Sequence, residues 1–124
     1  MATLFIFSIL RVLISNKIKV MKIYDVYEDG TATISFYPST HLMRAMGFDN
    51  MYDLSERIEA DAFDTFPSFD DKKIAQFDPE SGGTMVYCAT EEIAVKIQSV
   101  FEPYIQKGLD FLEEFDRMKI QLYK

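Results

Sequence analysis

The sequence predicts an α+β fold in which antiparallel β-hairpins, about four strands in all, pack against helices. Two pairs of β-prone runs are each joined by a short turn rich in Gly, Asp or Pro. Each pair is followed by segments whose apolar residues recur at helical spacing. Apolar residues make up 48% of the 124 residues, enough for the core of one domain. The predicted order is β-β-α-α-β-β-α-α, with residues 21–124 as a single domain.

The first hairpin is predicted within residues 22–37. Ile, Tyr and Val in 22–27 favour a strand. The Asp29–Gly30 step that follows favours a turn, because glycine readily adopts positive φ. In the next run, 31–37, apolar side chains alternate with hydroxyl-bearing ones, which is typical of a strand with one buried face.

Two helices are predicted after this hairpin. Ser39 can cap a short helix that Gly47 closes, and Asn50 can cap a second helix over residues 50–64. The apolar stripe predicted for the second helix consists of Met51, Leu54, Ile58 and Ala62. Asp53, Glu56 and Asp64 fall on the opposite side and should point outward.

The second hairpin and the final helices complete the chain. Strands are predicted at 73–77 and 84–89, with residues 78–83 as the turn. Thr90 can cap a helix in which Pro103 should produce a kink or a break. A last helix is predicted after Gly108.

The first twenty residues form an apolar and basic extension with three alternative interpretations. Their apolar run, 4–14, is too short to span a membrane and contains Arg11. The order of charges and apolar residues is also the reverse of a signal peptide. The extension is therefore upstream sequence before a natural start at Met21, an accessory helix, or a membrane element. The charge break at Met21 favours the first interpretation.

Negative charge is concentrated after this extension. All twenty Asp and Glu lie at or after Asp25, and residues 21–124 carry only ten Lys and Arg, a formal charge of −10. Between Asp49 and Asp71 eight acidic residues accompany one cation, Arg57. Such a surface repels nucleic acid and attracts basic partners.

Residues that carry catalysis or bind metals are scarce. His41 is the single histidine, and its proximity to Ser39 in sequence does not indicate a catalytic pair. Cys88 lies in an apolar run, which favours a buried, reduced thiol and a reducing compartment such as the cytoplasm. No zinc or calcium ligand pattern is present, so no cofactor is expected and the acids are interpreted as solvated surface.

The acidic helix and the loop after it are the predicted binding surface. Phe66 and Phe69 lie among the acids of this loop, either as core residues or as contact residues of an interface. The candidate partner-binding residues are Asp53, Glu56, Asp61, Asp64, Phe66, Phe69, Asp70 and Asp71.

Two stretches of the chain resemble a known family. The run from Ile74 to Cys88 contains the turn Phe-Asp-Pro-Glu-Ser-Gly-Gly and is followed by an acid-rich helix start, and Met46–Asp53 reads Met-Gly-Phe-Asp-Asn-Met-Tyr-Asp. Both resemble the bacterial immunity proteins of polymorphic toxin systems catalogued as immunity protein family fifty-one. The resemblance covers roughly residues 21–118. It implies a small α+β protein without enzymatic activity that binds and neutralises one cognate protein toxin.

Two alternatives from other functional classes stay open. One is a membrane-associated accessory protein that uses residues 1–20. The other is a small enzyme or ligand-binding domain with a site between sheet and helices.

Overall fold

Four strands and three α-helices follow one another in the part of the chain that the computed structural model describes. The backbone is described for residues 21–122 and the side chains for residues 21–118, so the predictions for residues 1–20 lie outside this range. In chain order the elements are β1 (Tyr24–Val26), β2 (Ala32–Phe36), α1 (Thr40–Ala45), α2 (Met51–Thr65), a 3₁₀ helix (Pro67–Phe69), β3 (Ala75–Glu80), β4 (Gly83–Cys88) and α3 (Glu91–Leu122). The predicted α+β class is confirmed.

The strands form one antiparallel sheet in the order β1-β2-β4-β3. In its central row, Ile34 of β2 pairs with Tyr24 of β1 and with Val86 of β4. The apolar face predicted for the second strand is confirmed, since Ala32, Ile34 and Phe36 are all buried, although Thr33 on the other face is buried as well. The helices pack against this face of the sheet and enclose the core between the two layers.

Phe101 of α3 lies at the centre of the core. Its ring meets Phe36 edge-on at 5.5 Å between centroids and stacks on Phe77 at 6.3 Å. Phe63 of α2 meets Phe77 edge-on at 5.8 Å between centroids. Aromatic pairs of this kind contribute about 0.5–1.5 kcal/mol each beyond the area that they bury. One connected set of rings therefore joins α2 and α3 to both halves of the sheet.

The predicted helix caps and the first turn are confirmed. Ser39 Oγ accepts a hydrogen bond from the backbone N–H of Leu42 at 3.1 Å, and Asn50 Oδ1 accepts one from that of Asp53 at 2.9 Å. Thr90 caps α3 in the same way. Gly30 has a φ of +91°, which the turn between β1 and β2 requires.

The second hairpin differs from the prediction. Asp78, Pro79 and Glu80 were expected in the turn, but they extend β3, and the turn shortens to residues 81–82. Pro79 pairs with Thr84. A proline is tolerated there because β3 is an edge strand, which has a neighbour on only one side and therefore does not need every backbone donor.

The last helix also differs from the prediction. A kink or break was expected at Pro103 and a second helix after Gly108. No break occurs, because α3 continues through both residues to Leu122, whereas a kink at Pro103 stays a prediction. Phe101 and Ile105, which flank the proline, are buried, and this packing offsets the lost backbone hydrogen bond. Gly108 serves packing rather than termination, since a Cβ there would lie 2.7 Å from Cγ of Met46.

Two buried polar contacts join the layers. Ser55 of α2 and Thr84 of β4, at most 1% exposed, form a hydrogen bond of 2.9 Å between their hydroxyls. Gln98 of α3 accepts from the backbone N–H of Ile23 at 2.9 Å and donates to the carbonyl of Met21 at 3.3 Å. These bonds fix the position of α2 on the sheet and of the chain segment that leads into β1.

Candidate binding surface

Helix α2 presents its acids to solvent because its other side is anchored in the core. The predicted stripe of Met51, Leu54, Ile58 and Ala62 is buried throughout. Asp53, Glu56 and Asp64 are exposed on the opposite side, as predicted. Asp53 and Asp64 are separated by roughly 16 Å along the helix axis, which is about twice the Debye length at physiological salt.

Glu59 links the acids of α2 to those of the following loop. Partial burial raises the pKa of Glu59, and the negative charges of Asp70 and Glu56 raise it further. Coulombic effects of this kind require carboxylates that are near one another. Glu59 therefore lies near an acid of the helix and an acid of the loop. We call Asp53, Glu56, Glu59, Asp64 and Asp70 the acidic ridge.

Asp61 does not belong to the acidic ridge. It is half-buried, accepts a hydrogen bond from the Tyr104 hydroxyl of α3, and lies 3.8 Å from Arg57 Nε. Burial raises the pKa of Tyr104, and the hydrogen bond to Asp61 raises it further, so the phenol stays protonated as a donor. Asp61 therefore joins α2 to α3, and its charge is partly neutralised.

The ridge carboxylates have few partners of opposite charge. Among the described side chains, the ion pairs are Arg57–Asp61, Lys96–Glu92 and Arg117–Glu114, and none includes a ridge residue. Asp53 accepts a neutral hydrogen bond from the Asn50 amide at 3.1 Å, which orients it without changing its charge.

The loop after α2 places the two predicted phenylalanines side by side. The rings of Phe66 and Phe69 stack at 5.0 Å between centroids with an interplanar angle of 20°, and both are half-buried. Phe69 packs against the core, which agrees with the alternative in which this residue belongs to the core. Asp71 accepts from the backbone N–H of Lys73 at 2.8 Å and so shapes the turn into β3.

Sequence reasoning missed two residues of this region. Glu59 was overlooked because it lies beside the outermost arc of α2, although its spacing of three residues from Glu56 already makes the two neighbours on a helix. Tyr104 lies 43 residues from Asp61, and no local pattern indicates that contact.

An open pocket of about 300 Å³ lies where the end of α1 meets α2 and α3. Its lining residues are Met46, Gly47, Phe48, Arg57, Pro103, Tyr104 and Lys107. This volume is at the lower end of the range for small-molecule sites. Of the pocket's three polar or charged side chains, Arg57 and Tyr104 already contact Asp61 within the protein, and Lys107 is the third.

The residues considered for chemistry lie in different surroundings. His41 is exposed on α1, whereas Cys88 is buried in β4, where desolvation raises its pKa to about 12. Among the described residues, no group of three or more His, Cys, Asp or Glu is arranged to hold a metal ion. Within residues 21–122, no helix combines the length and apolar character needed to cross a membrane.

The chain matches no protein-family model, no curated protein and no solved structure. The resemblance to immunity proteins therefore stays a prediction. The arrangement of residues described above is the basis for any functional proposal.

Proposed function

We propose that the protein is an immunity protein that binds a cognate bacterial toxin and neutralises it by electrostatic and steric occlusion. The observation that carries this proposal is the acidic ridge. Its carboxylates, of which Glu59 alone is half-buried, face solvent on a well-anchored helix and loop, and none forms an ion pair with a described residue. A toxin that cleaves or modifies nucleic acid needs a basic cleft, and a rigid acidic surface competes for such a cleft.

The ridge favours rapid and specific capture. Opposite charges steer two proteins together and raise association rates by about 10–10³-fold at low salt. The acids on α2 need little rearrangement on binding, because its Asn50 cap and buried stripe already hold the helix. The stacked pair of Phe66 and Phe69 offers adjoining aromatic contact area at the loop.

The experiment is co-expression with candidate toxins encoded by the genes that neighbour the gene of this protein. We expect the unmodified chain to restore growth of cells that express one of these toxins. Glu56→Lys/Asp64→Lys should abolish this protection and slow association about tenfold or more. Asp110→Lys/Asp116→Lys is the matched control, since it reverses the same charge at exposed positions of α3 outside the ridge. Circular dichroism of each variant checks that it folds.

Equal protection by both double variants would contradict the role of the ridge. Failure of the unmodified chain to protect against any of these toxins would contradict the proposed function itself.

A further inference from the structure

The sheet has a second face, opposite the helices, that no described element covers. We call it the open face, and its residues follow from the strand register and the alternation of side chains. The exposed members are Asp25, Tyr27, Tyr37, Gln76, Asp78, Glu80 and Tyr87, whereas Thr31, Ser35 and Met85 are half-buried and Thr33 is buried among them. This set contains three carboxylates and three tyrosines but no Lys or Arg.

Tyr37 lies across the sheet rather than away from it. Its ring covers Gly83 of β4, where an added Cβ would lie 2.5 Å from the ring's Cγ. Its hydroxyl then donates to Oε1 of Glu80 on β3 at 3.0 Å. A glycine at position 83 is what allows one tyrosine to reach from β2 across β4 to β3.

Tyr87 makes the corresponding contact one row further along. Its hydroxyl donates to Oδ2 of Asp78 at 3.3 Å. The hydrogen bond to Glu80 raises the pKa of Tyr37, and desolvation with the nearby charge of Asp78 raises that of Tyr87. Both phenols therefore remain neutral donors at physiological pH, and each carboxylate keeps further acceptor positions free.

The open face exposes aromatic surface beside this negative charge. Tyr27, Tyr37 and Tyr87 are 49%, 50% and 44% exposed. Single exposed aromatics are ordinary, but three on one face, beside acids that form no ion pair with a described residue, form a contiguous patch. A second copy of the chain does not suit this patch through the same face, because carboxylates would then oppose carboxylates.

We propose that the open face binds a protein partner through arginine side chains. A guanidinium stacks on tyrosine rings and donates two parallel hydrogen bonds to a carboxylate, a combination that a lysine ammonium does not provide. Asp78 with Tyr87 and Glu80 with Tyr37 each place a carboxylate beside a phenol ring. Tyrosine and arginine are also among the residue types most enriched at the energetic centres of interfaces.

This inference is independent of the proposed function. Helix α2 packs on the helical side of the sheet through the Ser55–Thr84 bond, so the acidic ridge and the open face lie on opposite sides of the sheet. Either surface can therefore be tested while the other is left intact.

The test is an NMR titration of the full ¹⁵N-labelled chain with oligoarginine and with oligolysine of equal length. We expect the largest shifts at backbone amides of β2, β3 and β4 and tighter binding of oligoarginine. Tyr37→Ala/Tyr87→Ala should weaken oligoarginine binding about fivefold and affect oligolysine less. Asp78→Asn/Glu80→Gln, which keeps the shape of the face, should weaken binding of both peptides.

The matched control is Asp53→Asn/Glu56→Gln, which removes the same charge from α2 and should leave the sheet amides responding as before. Equal affinity for the two peptides, or shifts confined to α2, would overturn the proposal. The absence of shifts at the sheet amides with either peptide would also overturn it, and this result is expected if residues 1–20 occupied the face. Shifts of the same amides with protein concentration alone would identify a second copy as the occupant and would also overturn it.

Discussion

Replacement of Gly83 by alanine tests how closely the strands and Tyr37 are packed. The added Cβ would lie 2.6 Å from the carbonyl oxygen of Phe36 and 2.5 Å from Cγ of Tyr37. Neither atom is the free end of a flexible side chain, so the backbone of β2 must shift with the base of the ring. Overpacking of this kind costs about 1–3 kcal/mol. We therefore expect Gly83→Ala to lose that much of its free energy of unfolding.

The assay is urea denaturation followed by circular dichroism, with a thermal melt as a second measurement. Each kcal/mol should lower the melting temperature by roughly 4–8 °C in a domain of this size. Gly82→Ala is the matched control, since its Cβ would meet no atom within 4 Å and the residue does not have positive φ. Its stability should change by less than about 0.5 kcal/mol.

A double variant separates the two clashes. In Gly83→Ala/Tyr37→Ala the tyrosine ring that meets the new Cβ is absent, so part of the lost stability should be recovered. The contact of this Cβ with the Phe36 carbonyl oxygen stays. If Gly83→Ala and Gly82→Ala have the same stability, the tight approach of Tyr37 and β2 to residue 83 is refuted.

Three further predictions concern buried or charged side chains. Ser55→Ala should cost about 1–3 kcal/mol because it leaves the Thr84 hydroxyl without a partner, and adding Thr84→Val should recover most of this loss in urea denaturation. Glu59→Gln should add about 0.2–0.5 kcal/mol at neutral pH, because it removes a partly buried charge and its repulsion by Asp70 and Glu56. The folded-state pKa of Glu59 is raised, so its ionisation lowers the free energy of unfolding as pH rises through the titration. The stability gained by Glu59→Gln should therefore vanish in acid, and a gain that is unchanged at low pH would contradict an electrostatic origin. Cys88 should not react with a thiol-specific disulfide reagent in the native protein at mildly alkaline pH, because its pKa of about 12 keeps the thiol protonated. It should react in denaturant, and rapid reaction in the native protein would show that the thiol is accessible.

Local signals in the sequence were sufficient for the element types and for most element starts. Ser39, Asn50 and Thr90 cap the predicted helices because each side chain bonds to a backbone N–H only a few residues away. The alternation in β2 and the stripe of α2 identify their buried faces for the same reason, since both repeats belong to a single element.

Prolines were misjudged because their effect depends on the neighbours of the element. Pro79 looked like a turn residue, yet an edge strand tolerates it. Pro103 looked like a helix break, yet Phe101 and Ile105 are held in the core on either side of it. In both cases packing outweighed a local preference.

The sequence by itself determined the α+β class, the capped acidic helix and the excess of carboxylates, because composition and short-range periodicity carry that information. Only the tertiary structure decided the surroundings of each carboxylate. The charge of Asp70 acts on Glu59, whereas Asp61 accepts a hydrogen bond from Tyr104. The strand order decided the rest, since pairing β2 with β4 brings Tyr37 and Glu80 together across Gly83. Such contacts depend on loop closure and packing between distant segments, which no window of neighbouring residues encodes.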